Sequence, residues 1–310
     1  MSHFIRHIFI ILLLIGLFTG CAAPAAMATP TVALTATIVP TAPPAPTIQP
    51  GDSERTLTIN GQERTYLLHI PPGLDKGHPV SVVLIFHELE ASAEDVSLLA
   101  HFDDIADKNG FIVGYPNGLG GSWNAGGCCR YAVEKNIDEI AFVRQILSDL
   151  GTVASLDPKR VYAAGFSNGG MLSYRLACEM SDTFAAIASV SGDLFYSPCQ
   201  PQQSISVIQV HGLADTIVPY NGGKGTYLPN VIFPPVEQGI TTWVQLDGCP
   251  SSAKVESEGT IFTHYIYAPC KAGTAVELYT FNSGGHEWPS KYVWPASQAI
   301  WDFLAAHPKP

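Results

Sequence analysis

Short apolar runs alternate with helix-like segments along most of this chain. Strands are predicted for residues 80–86, 111–115, 161–166, 185–190, 205–210 and 276–281. Helices are predicted for residues 92–101, 137–150, 168–180, 236–246 and 295–306, the second of them stopped by Gly151. Continuous apolar runs of this length are typical of strands buried on both faces. The alternation predicts an α/β domain with a mostly parallel central sheet and helices on both faces.

The N-terminal side of this domain has a different pattern. Residues 57–60 and 63–70 are β-rich and meet at Asn60-Gly61, a dipeptide that readily takes the positive φ angles of a tight turn. We therefore expect an antiparallel hairpin to open the domain. In proteins with such sheets, the active-site residues lie on loops at the carboxyl ends of the parallel strands.

The start of the chain predicts export. A basic segment precedes the apolar run at residues 8–18, which is too short to span a bilayer and ends in small residues before Cys21. Residues 1–20 are therefore predicted to be a signal peptide. Two outcomes stay open: a lipobox-like ending that leaves Cys21 lipidated, with Phe18 where Leu is usual, or cleavage near residues 23–28 with free release. Both place the protein outside the cytoplasm, extracellular or on the cell surface.

The rest of the chain divides into a linker and one domain. Residues 21–50 are almost wholly Ala, Pro and Thr and carry no charge, so they are predicted to be a disordered linker. Residues 51–310 have the length of a single α/β domain. With 16 basic and 27 acidic side chains the net charge is −11, which argues against nucleic acid or an anionic membrane surface as a partner. We expect a monomer that meets a membrane only through the possible lipid anchor.

The cysteine content fits an oxidising compartment. Six cysteines remain when Cys21 is set aside, and an even number in an exported chain predicts disulfides. Cys249 and Cys270 flank a short β-like segment and are expected to close it. The pairing of the others stays open: Cys128, Cys129, Cys178 and Cys199. The chain has no C-x-x-C pair, so we predict neither a zinc site nor any other metal or cofactor.

One short motif has the pattern of a catalytic turn. Gly165-Phe166-Ser167-Asn168-Gly169 lies between a predicted strand and a predicted helix, which is the setting of a nucleophile elbow. The turn would project the Ser167 hydroxyl above the sheet and leave the backbone N–H of Asn168 free for an oxyanion. The alternative is a glycine-rich turn with a capping serine.

A serine nucleophile needs a histidine base and an acid that orients it. Asp215 follows the predicted strand that ends near His211, and His286 follows the strand that ends at residue 281. The order Ser, acid, His is the one expected on this type of sheet. Asp193, which follows another strand, is the main rival acid, and His87 and His211 are more typical of loop-stabilising histidines.

At these residues the chain resembles the extracellular feruloyl esterase and polyhydroxybutyrate depolymerase group. The resemblance is carried by residues 115–118, 122–124, 128–129, 137–142, 157–162, 165–171, 211–215, 218–220 and 285–289. It implies an α/β-hydrolase fold and a triad of Ser167, Asp215 and His286. It also implies an oxyanion hole made by the N–H groups of Asn168 and Leu89.

The chain departs from that group at one position. Where the group has His-Gly after the first core strand, this chain has His87-Glu88. Either Glu88 distorts the oxyanion hole and repels the oxyanion, or it points to solvent and leaves the backbone unchanged. The second interpretation is favoured. Trp123 and Trp288 are candidates for a substrate-binding aromatic shelf, with core packing as the alternative.

Three functions follow as hypotheses. The first is a secreted serine carboxylic-ester hydrolase that acts through an acyl-enzyme on feruloyl or acetyl esters of plant-wall polysaccharide. The second keeps the chemistry and changes the substrate to a polyhydroxyalkanoate or related polyester. The third is a catalytically silent, surface-tethered binding protein that has lost its oxyanion hole through Glu88. Small aromatic esters are also substrates that fit the first of these functions, the carboxylic-ester hydrolase.

Overall fold

The structure, a computed structural model, describes residues 49–75 and 77–310. In these residues the strands are β1 (Gly51–Ile59), β2 (Gln62–Ile70), β3 (Val80–Phe86), β4 (Ile112–Pro116), β5 (Leu156–Phe166), β6 (Ala186–Val190), β7 (Ser206–Gly212), β8 (Gly223–Lys224), β9 (Ile232–Phe233), β10 (Lys254–Glu258), β11 (Phe262–Tyr267) and β12 (Val276–Phe281). The helices are α1 (Ala93–Ala100), α2 (Phe102–Asn109), α3 (Arg130–Glu134), α4 (Glu139–Val153), α5 (Asn168–Glu179), α6 (Val236–Leu246) and α7 (Ala296–Ala306). The signal peptide, Cys21 and nearly all of the linker lie outside the described residues.

A parallel core lies between two antiparallel edges in the main sheet. Among the described residues this sheet has ten strands, in the order β1-β2-β4-β3-β5-β6-β7-β12-β11-β10. The six central strands, β4-β3-β5-β6-β7-β12, run parallel to their neighbours. At one edge β1, β2 and β4 pair antiparallel, and at the other edge β12, β11 and β10 pair antiparallel. The predicted α/β class, its parallel core and the N-terminal hairpin are confirmed. The second hairpin, β10–β11, is the β-like segment expected between Cys249 and Cys270.

Side chains of β3 alternate between two hydrophobic cores. Val82, Leu84 and Phe86 pack on the side that holds α4, α5 and α6, and Val83 and Ile85 pack on the side that holds α1, α2 and α7. All five are fully buried. The period of two along a strand therefore explains why this run is apolar at every position.

Among the described helices, side-chain caps mark the starts of α1 and α4. At α1, Ser92 and Asp95 form a reciprocal capping box, as their spacing predicts. The predicted stop at Gly151 is wrong, because α4 continues to Val153 and ends at Ala154. Glycine inside a helix costs about 1 kcal/mol, and the buried side chains that α4 packs against the sheet, Leu150 among them, offset that cost.

Three disulfides occur among the described residues. Cys249 pairs with Cys270, Cys178 with Cys199, and Cys128 with its neighbour Cys129. The first bridge encloses β10 and β11, and the second links the end of α5 to the segment before β7. No helix among residues 49–75 and 77–310 has the length and apolar character needed to cross a bilayer.

Candidate active site

Ser167 lies in the sharp turn between β5 and α5. Its φ of 52° and ψ of −117° are uncommon for a residue with a side chain. The turn depends on close backbone approach: a Cβ at Gly165 would overlap the backbone of Gly169, and one at Gly169 would overlap the carbonyl group of Phe86. Val190 fixes the turn from β6 by accepting a hydrogen bond from the Ser167 N–H at 2.8 Å. The glycines of the motif are therefore required by packing as well as by the turn.

The structure brings Ser167, Asp215 and His286 together at the carboxyl ends of β5, β7 and β12. The His286 Nδ1 atom lies 2.8 Å from Asp215 Oδ2, and its Nε2 atom lies 2.9 Å from Ser167 Oγ. If the imidazole proton is on Nδ1 and donates to the carboxylate, Nε2 is left to accept the serine proton. This is the arrangement of a hydroxyl nucleophile with an oriented general base.

Asp215 is buried, and both of its carboxyl oxygens accept hydrogen bonds. Oδ1 accepts from the backbone N–H groups of Ile217 and Val218, at 2.8 and 2.9 Å. Oδ2 accepts from His286 and lies 3.4 Å from Nε2 of His211. Burial alone would raise the pKa of Asp215, but the hydrogen bonds from His211, His286 and Val218 hold that pKa well below its usual value. The group is therefore ionised, as an orienting acid must be.

The rival acid and the other two strand-end histidines have different surroundings. Asp193 is buried without a hydrogen-bond partner for either carboxyl oxygen in the described part of the chain, and its pKa is raised well above normal by burial and by Asp215. His211 Nε2 lies 2.9 Å from the Val218 carbonyl oxygen. The His87 Nδ1–H donates to the Glu88 carbonyl oxygen at 2.6 Å, and its Nε2 accepts from the Gly118 N–H at 2.9 Å. Both histidines hold loop backbone, as expected for their positions.

The two predicted oxyanion donors border one cavity and are connected through Trp123. The Asn168 N–H lies at the N-terminus of α5, where a developing negative charge is favoured. The side chain of Asn168 accepts from the Trp123 N–H at 2.7 Å and donates to the Trp123 carbonyl oxygen at 3.2 Å. The indole N–H of Trp123 donates to the His87 carbonyl oxygen at 2.9 Å, two residues before Leu89.

The structure gives both predicted shelf residues a packing role instead. Trp123 is 0 % exposed and Trp288 is 6 % exposed. The Trp288 indole N–H donates to Ser297 Oγ at 3.0 Å, and its ring packs edge-on against Phe102 and Phe166. A fully buried ring cannot present a face to a sugar or a phenyl group, so the prediction of a substrate shelf is wrong for Trp123, and Trp288 has almost no free surface for it.

The orientation of the Glu88 side chain differs from the interpretation that the sequence favoured. Its φ is not in the left-handed region, so the backbone does not need the glycine that the related group has. Its side chain, however, lines the cavity beside Ser167 and His286, and Oε2 is buried without a hydrogen-bond partner among residues 49–75 and 77–310. Burial raises the pKa of Glu88, and the nearby His286 opposes that rise. The prediction that Glu88 points to solvent is therefore wrong.

The cavity beside Ser167 has a volume of about 170 Å³ and mostly apolar walls. Among its other lining residues, Met171 and Val218 lie in motifs that carry the resemblance, and Ile217 lies between two of them. Tyr227, Leu228 and Phe233 lie outside these motifs, so no local pattern marks them. The Cys128–Cys129 disulfide completes the wall. A larger groove of about 410 Å³ lies next to Trp288 and Tyr292, but it does not include any residue of the triad.

A mostly parallel sheet with this serine turn and this order of strand-end residues defines an α/β-hydrolase. The sequence profile of the family described as "Esterase PHB depolymerase" matches residues 64–218. The chain belongs to this family, and it is a carboxylic ester hydrolase. The expected likeness to the feruloyl esterase and polyhydroxybutyrate depolymerase group is confirmed.

Three known proteins illustrate the relationship. Feruloyl esterase B of Piromyces equi is 30 % identical over 243 residues, which are 74 % of this chain and 44 % of that protein. Putative esterase NocK of Nocardia uniformis subsp. tsuyamanensis is 30 % identical over 257 residues, 76 % of this chain and 73 % of that protein. An acetyl xylan esterase from Aspergillus awamori shares the fold, with a TM-score of 0.59 and 17 % identity, over 82 % of this chain and 99 % of that chain. The chain thus spans less than half of the Piromyces relative.

Proposed function

We propose that this esterase is exported and hydrolyses feruloyl or acetyl esters of plant-wall polysaccharide through an acyl-enzyme on Ser167. The observation that carries the proposal is the position of His286, whose two ring nitrogens lie 2.9 Å from Ser167 Oγ and 2.8 Å from Asp215 Oδ2. A serine hydroxyl is a weak nucleophile at neutral pH, and a base in this position removes its proton as the attack occurs.

The first half of the reaction acylates the serine. Ser167 Oγ attacks the ester carbonyl carbon while His286 Nε2 takes the hydroxyl proton, and Asp215 stabilises the resulting imidazolium. The carbonyl oxygen becomes an oxyanion that accepts hydrogen bonds from the N–H groups of Asn168 and Leu89. When the tetrahedral intermediate collapses, the bond to the alcohol breaks and His286 returns its proton to the leaving oxygen. The acyl group is left as an ester of Ser167.

The second half releases the acid. A water molecule attacks the acyl carbon and gives its proton to His286, and the same two N–H groups stabilise the second oxyanion. Collapse breaks the bond to Ser167 Oγ, which regains a proton from His286. The carboxylic acid leaves and the free enzyme is restored.

The substrate class rests on the relatives. Feruloyl esterase B and the acetyl xylan esterase are named for esters carried by plant-wall polysaccharide. The acidic net charge of this chain suits a neutral polysaccharide better than a polyanion. Three disulfides support an exported protein, since such bridges persist in oxidising compartments. Mass spectrometry of the mature N-terminus tests whether Cys21 carries lipid.

A substrate panel tests the proposal. We expect turnover of methyl ferulate, acetylated xylan or short p-nitrophenyl esters by the wild-type chain, and its loss in Ser167→Ala. Absence of turnover on every ester, or turnover that survives Ser167→Ala, would reject the serine mechanism. Clearing of a polyhydroxybutyrate suspension, with no activity on the polysaccharide esters, would support a polyester as the substrate instead. Failure of a fluorophosphonate to label Ser167, with retained binding of sugars, would favour the silent binding protein.

A further inference from the structure

The cavity beside Ser167 is apolar apart from the catalytic groups, a tyrosine at its edge and one carboxyl group. Its walls include Leu89, Met171, Ile217, Val218, Leu228 and Phe233. Against this surface lies the carboxyl group of Glu88, whose Oε2 is buried without a hydrogen-bond partner in the described part of the chain. A buried polar atom that is left unpaired destabilises the protein, so such an atom in a binding cavity is a candidate for pairing with a ligand.

The backbone at Glu88 is held by hydrogen bonds around its neighbour His87. His87, which is fully buried, donates to the Glu88 carbonyl oxygen, and its other ring nitrogen accepts from Gly118. Trp123 donates to the carbonyl oxygen of His87. The next residue is Leu89, the predicted second oxyanion donor. The backbone that carries this carboxyl group is therefore held next to the predicted oxyanion donor, and the side chain lines the cavity beside Ser167.

The next acidic residue has a different environment. Glu90 is exposed, and it pairs with Arg130 and accepts a hydrogen bond from the Tyr227 hydroxyl. Arg130 is thus already paired with Glu90, and Glu88 has no ion pair with any residue in the described ranges. Whether ionised or protonated, a carboxyl group keeps an oxygen that can accept a hydrogen bond.

We propose that Glu88 is a specificity-determining residue that accepts a hydrogen bond from a substrate hydroxyl two or three bonds from the scissile ester. This inference rests on the proposed esterase function. Two sources offer that chemistry, a 3-hydroxyacyl group and an alcohol with a neighbouring hydroxyl, as on a sugar ring. A site that pairs a hydroxyl rejects the analogue without it, because its own polar group is then left unpaired. The side chain thus selects hydroxylated esters over plain ones.

Two pairs of esters separate the sources. The acyl pair is p-nitrophenyl 3-hydroxybutyrate against p-nitrophenyl butyrate, and the alcohol pair is 2-hydroxyethyl butyrate against propyl butyrate. The readout is the ratio of kcat/KM within each pair. For the wild type we expect the hydroxylated member to be favoured by about tenfold or more in at least one pair. The pair that shows the preference identifies the source.

Variants connect the preference to the side chain. Glu88→Gly should reduce the ratio to about one, and Glu88→Gln, which keeps an acceptor oxygen, should give an intermediate ratio. The matched control is Glu90→Gln, two residues away and already paired with Arg130 and Tyr227, in which the ratio should persist. A ratio near one for both pairs in the wild type, or a preference that survives Glu88→Gly, overturns the inference. Turnover of p-nitrophenyl butyrate that Ser167→Ala abolishes keeps the esterase proposal standing in that case, whereas no turnover of any ester overturns both.

Discussion

At the scale of single residues, the carboxyl group of Asp215 is the most fully satisfied part of the site. Two backbone N–H groups bind Oδ1, and His286 binds Oδ2. In Asp215→Asn the amide has one oxygen, which cannot accept from both the backbone N–H groups and His286 Nδ1. With the amide nitrogen facing Nδ1, the ring proton moves to Nε2, and this tautomer cannot accept the serine proton. We expect kcat to fall by about 10⁴ with a much smaller change in KM, measured on a p-nitrophenyl ester. Asp193→Asn is the control, because Asp193 makes no hydrogen bond with His286, and a comparable loss there would contradict the assignment of the acid.

Burial lowers the pKa of His87 to about 4, and this makes stability depend on pH. The unfolded chain titrates near the ordinary value of about 6.5. Between these values the unfolded state binds more protons, so the free energy of unfolding falls as pH drops from about 6.5 to about 4, by on the order of 3 kcal/mol from this residue. In His87→Gln that contribution is absent. Urea unfolding of both proteins across this range should therefore show their difference in stability shrinking towards acid pH.

His69 is the control for His87, because its pKa is shifted in the opposite direction. Burial would lower its pKa, but hydrogen bonds with Asp52 and Asp107 and the charge of Asp103 raise it overall. Because the folded pKa is raised, the stabilisation is fully present below the unfolded value of about 6.5 and is lost as pH rises through the folded pKa. The difference between wild type and His69→Gln should therefore grow towards acid pH. A difference that shrinks towards acid pH in both variants would contradict the assignment for His69, and one that grows in both would contradict the assignment for His87.

At the scale of elements, the strands were the most predictable part of the chain. Strands β4 and β6 are mostly apolar because every residue in them is buried, and β12 begins and ends where the sequence predicts. Helix α2 was missed because its polar sequence buries only Phe102, Ile105 and Ala106. The serine, the acid and the histidine of the candidate triad could be predicted because each follows a core strand within a recognisable motif. The direction in which the Glu88 side chain points depends instead on loops distant in sequence, and no local sequence pattern predicts it.

Trp123 connects the two elements that carry the predicted oxyanion donors. Its indole N–H binds the carbonyl oxygen after β3, and its backbone binds the side chain of Asn168 at the start of α5. Trp123→Phe removes the first of these bonds and leaves the His87 carbonyl oxygen unpaired. Since oxyanion donors act mainly in the transition state, we expect kcat to fall by about tenfold with KM changed by less than about threefold. Steady-state kinetics on p-nitrophenyl acetate measure both constants.

The control for this substitution is Trp243→Phe on α6. Trp243 is also fully buried, but its indole N–H has no hydrogen-bond partner within residues 49–75 and 77–310, so its removal leaves no acceptor unpaired. Its ring stacks on Tyr174, and it does not line the cavity beside Ser167. A similar loss of kcat in both variants would show that any cavity in the core disturbs the site, and would contradict the specific role of Trp123.

At the scale of the whole molecule, the three disulfides should contribute unequally to stability. Two of them join cysteines 21 residues apart, whereas Cys128 and Cys129 are adjacent. A cross-link stabilises chiefly by restricting the unfolded chain, and for loops of this length the effect is roughly 3 kcal/mol per bridge. Replacing both cysteines of Cys249–Cys270 by alanine should therefore lower the free energy of unfolding by about that amount.

The same replacement at Cys128 and Cys129 should lower the free energy of unfolding by much less, because the adjacent pair closes no loop. It should instead alter activity, because this pair forms a wall of the cavity beside Ser167. Denaturant unfolding and ester kinetics on the two double variants separate these effects, and equal losses of stability would contradict the loop argument.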